Sequence, residues 1–125
     1  MKSEQTENGT VDLWTAKEVS EARGDIVLID VRTPQEHGFE RIGGALLMAL
    51  QEFQPQSLPG QDAKRIVLHC GSGVRSGKAA ALCLAAGIER IAHLEGGLAA
   101  WKAAGQEYIG TDVATGAPKV MKKDS

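Results

Sequence analysis

Three short apolar runs constrain this chain most: IVLID at residues 26–30, RIVLH at 65–69 and IAHL at 91–94. All are of strand length, and the first two are continuous rather than alternating, the pattern of strands covered on both faces. Each run leads toward a segment with helix signals. Thr33-Pro34-Gln35-Glu36 combines an N-cap, a proline at the first helical position and a capping box directly after the first run. Ser76 to Ala86 is rich in Ala and Leu and stops at Gly87, and LAAWKAAG stops at Gly105. A further capping box, Thr15 to Glu18, predicts a short helix closed by Gly24, with Leu13, Val19 and Ala22 on its inner side. Residues 45–48 read as a short strand, and 50–53 as a helical turn confined by Pro55 and Pro59. Strands alternating with helices on short connections predict a three-layer α/β/α sandwich with a mostly parallel central sheet.

A chain of 125 residues holds one such domain. Only five residues are aromatic, so the core must come from Val, Ile, Leu and Ala. Residues 1–9 are polar and lack periodicity, and 109–125 are rich in Gly, Thr, Ala and Lys, so both ends are expected to be flexible around a domain at 10–108. Lys119, Lys122 and Lys123 read as part of a solvated tail. Fourteen basic against sixteen acidic residues, with no basic stripe interleaved with aromatics, argue against a nucleic-acid partner. No apolar run reaches membrane-spanning length and the first ten residues are polar, so the expected location is the cytoplasm. The residues do not set the oligomeric state.

The chemistry is expected where a buried strand hands over to a helix at the carboxyl edge of the sheet. That segment is Cys70-Gly71-Ser72-Gly73-Val74-Arg75, followed by Ser76. Its two glycines, among fifteen in a glycine-rich chain, let backbone N–H groups converge on one point. The following helix adds unpaired N–H groups and the positive end of its dipole. A cysteine at the lip of such an anion cradle has a depressed pKa, and Arg75 adds a full positive charge. Ser76 either donates to a bound group or caps the helix.

These residues carry a resemblance. Asp30-Val31-Arg32 with Thr33-Pro34 and Glu36, then Ile42-Gly43-Gly44-Ala45, then His69-Cys70-Gly71-Ser72-Gly73-Val74-Arg75-Ser76, and last Leu94-Glu95-Gly96-Gly97 with Trp101, stand in the order of a single-domain rhodanese, a sulfurtransferase. The resemblance spans about residues 10–108 and implies the rhodanese form of the sandwich. It also implies a Cys70 nucleophile that takes sulfane sulfur from a small donor such as thiosulfate. The sulfur then passes as a persulfide to cyanide, a thiol or a protein acceptor, with neither metal nor organic cofactor. Residues 71 to 76 would hold the donor and the persulfide.

Arg41 and Gly43 replace the usual His and Pro of the second motif, so a looser turn is expected there. Gly71 and Ser72 stand where two-domain thiosulfate enzymes are basic. The CGSGV start resembles mercaptopyruvate enzymes, which carry Thr where this chain has Arg75; that arginine favours an oxyanion donor such as thiosulfate. A cysteine phosphatase or arsenate reductase is the rival reading. Such loops place five residues between Cys and Arg, whereas this loop has four and no acid within it. A non-catalytic persulfide carrier or redox sensor also fits an intact Cys70.

Asp30 and Arg32, at the end of the first run, read as support for the crevice, with Glu36 in helical reach of Arg32. His69 should point away from Cys70 as a core histidine. His37 and His93 lie on separate elements and make no metal site. Trp101 reads as core, and Cys83 as a buried inert thiol. Lys78, placed in the first turn of the helix after the loop, is either a solvated lysine or a cation that steers an anionic donor at some cost to the helix.

Overall fold

A computed structural model describes residues 1–122. Six strands form the main sheet: β1 (Lys2–Thr6), β2 (Gly9–Trp14), β3 (Ile26–Asp30), β4 (Leu46–Leu47), β5 (Arg65–His69) and β6 (Arg90–Leu94). Their order across the sheet is β1-β2-β6-β5-β3-β4, parallel throughout except for the antiparallel β1–β2 hairpin. The helices are α1 (Ala16–Glu21), α2 (Pro34–Phe39), α3 (Val74–Ala85) and α4 (Gly97–Ala103). Both expected capping boxes are present: Thr15 and Glu18 open α1, and Thr33 and Glu36 open α2 behind Pro34.

Alternation along the central strands divides the core in two. Ile26, Leu28, Val67, Ala92 and Leu94 turn toward Val19, Leu98 and Trp101, on the side of α1 and α4. Ile29, Ile66, Leu68, Cys70 and Ile91 turn toward Ala79, Ala80, Cys83 and Leu84 of α3. Trp101 is core, as expected, and its indole N–H donates to the Glu107 carbonyl at 2.8 Å.

Both ends depart from the expectation of flexible segments. Residues 2–6 pair with Gly9–Leu13 of β2, and β2 itself, which includes Leu13, is a strand parallel to β6 rather than the lead into a helix. The buried Asp12 interrupts the apolar pattern of β2 and hides it. Its carboxylate is met by Arg90 (2.6 and 3.0 Å), Ser3 (2.5 Å) and Arg65 (2.7 Å). Burial alone would raise its pKa, but these partners hold it well below the usual carboxylate range.

At the other end, β7 (Tyr108–Thr111) and β8 (Pro118–Met121) form a second, two-stranded sheet. Arg41 and Ile109 exchange backbone hydrogen bonds of 2.8 and 2.7 Å, and the Thr111 hydroxyl donates to the Phe39 carbonyl at 2.7 Å. The turn expected to be loose at residues 41–44 is therefore tied down, and Arg23 donates to the Gly43 carbonyl as well. Lys119 lies in β8; Lys123, and with it the end of the expected tail, lies outside the described residues. Among the described residues, no helix is long and apolar enough to cross a membrane.

Candidate active site

Cys70 leaves β5 at the carboxyl edge of the sheet, and residues 71–73 curl back over its sulfur before α3 begins. Gly73 makes this possible: it sits in the left-handed region at φ 104° and caps the helix. Its N–H donates to Cys70 Sγ at 3.0 Å, the Ser76 N–H donates at 3.3 Å, and the Ser72 N–H also contributes. The thiol in turn donates to Ser76 Oγ at 3.6 Å. Burial pushes a thiol up, and Cys70 is 0% exposed; the converging Ser76, Gly73 and Ser72 groups outweigh that and hold it below its ordinary value.

The loop is braced from below by α4. Leu98 N–H donates to the Cys70 carbonyl at 2.8 Å and Ala99 N–H to the Gly71 carbonyl at 3.1 Å. Gly97, at φ 59°, passes so close that a β-carbon there would overlap the Cys70 carbonyl oxygen and lie 2.7 Å from the Gly71 carbonyl carbon. The sequence placed Gly96-Gly97 before a helix; their contact with the nucleophile's backbone comes from packing between segments 27 residues apart.

Arg75 is not free. Both of its terminal nitrogens donate to Glu36, at 2.7 and 2.9 Å, and its guanidinium lies over Gly71. Glu36 thus serves Arg75 and not Arg32, a correction to the expected helical pair. The arginine pulls the Glu36 carboxyl down to about 2. Arg32 turns inward to Asp30, donating through Nε at 3.0 Å and Nη2 at 2.8 Å. Burial raises Asp30, but Arg32, His69 and His37 more than compensate, so its carboxyl stays below the usual range. His37 Nδ1 is 2.8 Å from Asp30, a contact not anticipated.

His69 points to the face opposite Cys70, as expected; its Nδ1 lies 3.2 Å from the Cys70 carbonyl oxygen, and its Nε2 lies 3.8 Å from Asp30. Asp30 and Arg32 therefore support the strand ends behind the loop. Of the expected ligand residues, Gly73 and Ser76 bond the sulfur, Gly71 lies under the Arg75 guanidinium, and Val74 is 64% exposed. Lys78 is exposed, and because α3 starts at Val74 it lies beyond the first turn, where a cation barely opposes the helix dipole. Cys83 is buried on α3, as expected, and burial pushes its thiol up to about 11. Among the described residues, no group of three or more His, Cys, Asp or Glu is placed to hold a metal ion.

Residues 15–104 match the family model of the rhodanese-like domain, a span that includes the cradle and its braces. The chain belongs to the rhodanese-like domain family. An uncharacterized protein of Synechocystis is 44% identical over 86 residues, covering 69% of this chain and 48% of that protein. A sulfurtransferase of Allochromatium vinosum is 32% identical over 77 residues, covering 62% of this chain and 72% of that one. The chain thus spans about half the length of the first relative and nearly three quarters of the second. A rhodanese-related protein of Thermoplasma volcanium shares the rhodanese fold, with a TM-score of 0.69, 23% identity, and coverage of 78% of this chain and 96% of its own.

Proposed function

We propose that this rhodanese-like domain is a sulfurtransferase that moves sulfane sulfur from thiosulfate, or a donor of like charge, to a thiophilic acceptor through a persulfide on Cys70. The observation that carries this reading is the convergence of the Gly73 and Ser76 N–H groups on one sulfur atom. They stabilise an anion at Sγ, and a persulfide leaves its negative charge on the terminal sulfur of the same side chain.

The Cys70 thiolate attacks the outer sulfur of thiosulfate. A sulfur–sulfur bond forms to Cys70 as the donor's sulfur–sulfur bond breaks, and its electron pair leaves on sulfite. The acceptor, cyanide or a thiolate, then attacks the terminal sulfur, and the Cys70 thiolate departs with the pair. This is covalent catalysis in two displacements, and neither needs a proton donor to the leaving group. The phosphatase reading fits less well: the loop is one residue short for a phosphate, and the loop arginine is occupied by Glu36. Cys70 and Cys83 are both free thiols, which suits work in the reducing cytoplasm.

The test is steady-state kinetics with thiosulfate and cyanide both varied. Parallel double-reciprocal lines support a covalent carrier. Intersecting lines, or hydrolysis of an aryl phosphate with no turnover of any sulfane donor, overturn it.

A further inference from the structure

His93, assigned no role by the sequence, is joined to the nucleophile. It stands on β6 opposite Leu68 of β5, on the same sheet face as Cys70, and its Nδ1 lies 2.9 Å from Ser76 Oγ. Ser76 is fully buried and 3.6 Å from Cys70 Sγ. The ring lies against α3 at Gly77, where a β-carbon would sit 3.7 Å from Cε1. It also lines an open pocket of about 300 Å³ between α3 and the β1–β2 hairpin, and it is 8% exposed.

The Ser76 hydroxyl has one proton and three neighbours able to accept it: Cys70 Sγ, His93 Nδ1, and the Gly73 carbonyl at 3.3 Å. While Cys70 is a thiol, S–H donates to Ser76 and Ser76 donates onward. Once Cys70 is a thiolate, the hydroxyl must turn to the sulfur, and it does so when Nδ1 carries a proton and donates to Oγ. We propose that His93 is a positioning residue that sets the protonation state of Cys70 through Ser76. The thiol proton passes to Ser76 Oγ as the serine's own proton passes to Nδ1, leaving a thiolate, a neutral serine and an imidazolium. The electron pair of the S–H bond stays on sulfur, and no other reactant is needed.

The charged groups facing the ring fit this role. Glu4 of β1 and Glu95 beyond β6 favour the imidazolium, and Glu95 is itself 3.6 Å from Lys2. Around the pocket, α3 presents Gly77, Ala81 and Leu84, and the hairpin turn presents Asn8, none of them charged. Burial lowers the imidazole overall, so the ring rests neutral near neutral pH, and Glu4 and Glu95 offset part of the burial cost of its protonated form.

The proposal rests on the sulfur-transfer reading only in taking Cys70 to work as a thiolate, and its test uses no sulfur donor. The thiolate's ultraviolet absorbance is followed against pH in a Cys83→Ala background, with Cys70→Ser subtracted. His93→Ala and Ser76→Ala should each move the midpoint up by about one pH unit, a tenfold loss of thiolate below it, and the double variant should move it no further. His93→Asn, which keeps an N–H near the Nδ1 position but takes up no proton, should restore part of the shift. By linkage, the His93 imidazole followed by nitrogen NMR should titrate lower in Cys70→Ser. Identical thiolate titrations in wild type, His93→Ala and His93→Asn, with native circular dichroism, would overturn the proposal. A shifted titration in a protein that moves no sulfur would instead overturn the sulfur-transfer reading.

Discussion

Arg75 and Glu36, 39 residues apart, form a two-pronged ion pair of 2.7 and 2.9 Å across the mouth of the cysteine loop. A donor that presents an oxyanion to Arg75 competes with Glu36 for the guanidinium. Glu36→Gln keeps an acceptor for the Thr33 capping box but drops the competing charge, so KM for thiosulfate should fall severalfold. Arg75→Ala removes the cation and should raise KM about tenfold or more, the scale of a charge-assisted hydrogen bond. Steady-state kinetics on the two variants check both directions.

The same pair predicts an acid limb of stability. The Glu36 carboxyl is held at about 2 by Arg75, below its value in the unfolded chain. Its contribution is therefore complete above the ordinary carboxylate range and is lost as pH falls through it toward about 2. Unfolding by urea at a series of pH values should show a steeper decline below pH about 4.5 in wild type than in Glu36→Gln. Equal slopes would mean that the pair adds nothing beyond a solvent-screened contact.

Gly97→Ala sets a β-carbon against the backbone of the nucleophile itself and strains a left-handed φ. It should cost about 1–3 kcal/mol of stability in urea unfolding. Activity at temperatures where the variant remains folded should fall further than that of a surface Gly→Ala control such as Gly38, where a β-carbon meets nothing.

Cys83→Ala should retain full activity and lose about 1–2 kcal/mol, since it removes a buried sulfur that has no polar partner. Loss of turnover in a folded Cys83→Ala protein would require a two-thiol relay in place of a single nucleophile.

Signals held within a few residues were legible in the sequence. The capping boxes at Thr15 and Thr33, the runs of β3 and β5, and the Cys70 loop entering α3 all lie where local chemistry places them. What escaped is held by partners distant in the chain. The strand β2 is broken in pattern by Asp12, whose charge makes sense only beside Arg65 and Arg90. The exposed β1 has no apolar face of its own and is held by its pairing with β2. The strand β7 is fixed by the backbone of Arg41. In the site, the cysteine cradle followed from spacing, whereas Arg75–Glu36, Gly97 against Cys70, and His93 against Ser76 are contacts between separate elements that no local pattern encodes.

If Cys70 carries the transferred sulfur, intact-protein mass spectrometry will show the added atom on that residue alone. After incubation with thiosulfate and removal of the excess, wild type and Cys83→Ala should each be heavier by one sulfur atom, and cyanide should return both to their starting mass. Cys70→Ser should gain nothing. A sulfur that still loads onto Cys70→Ser, or wild type that stays at its starting mass with thiosulfate and with mercaptopyruvate alike, would contradict the account.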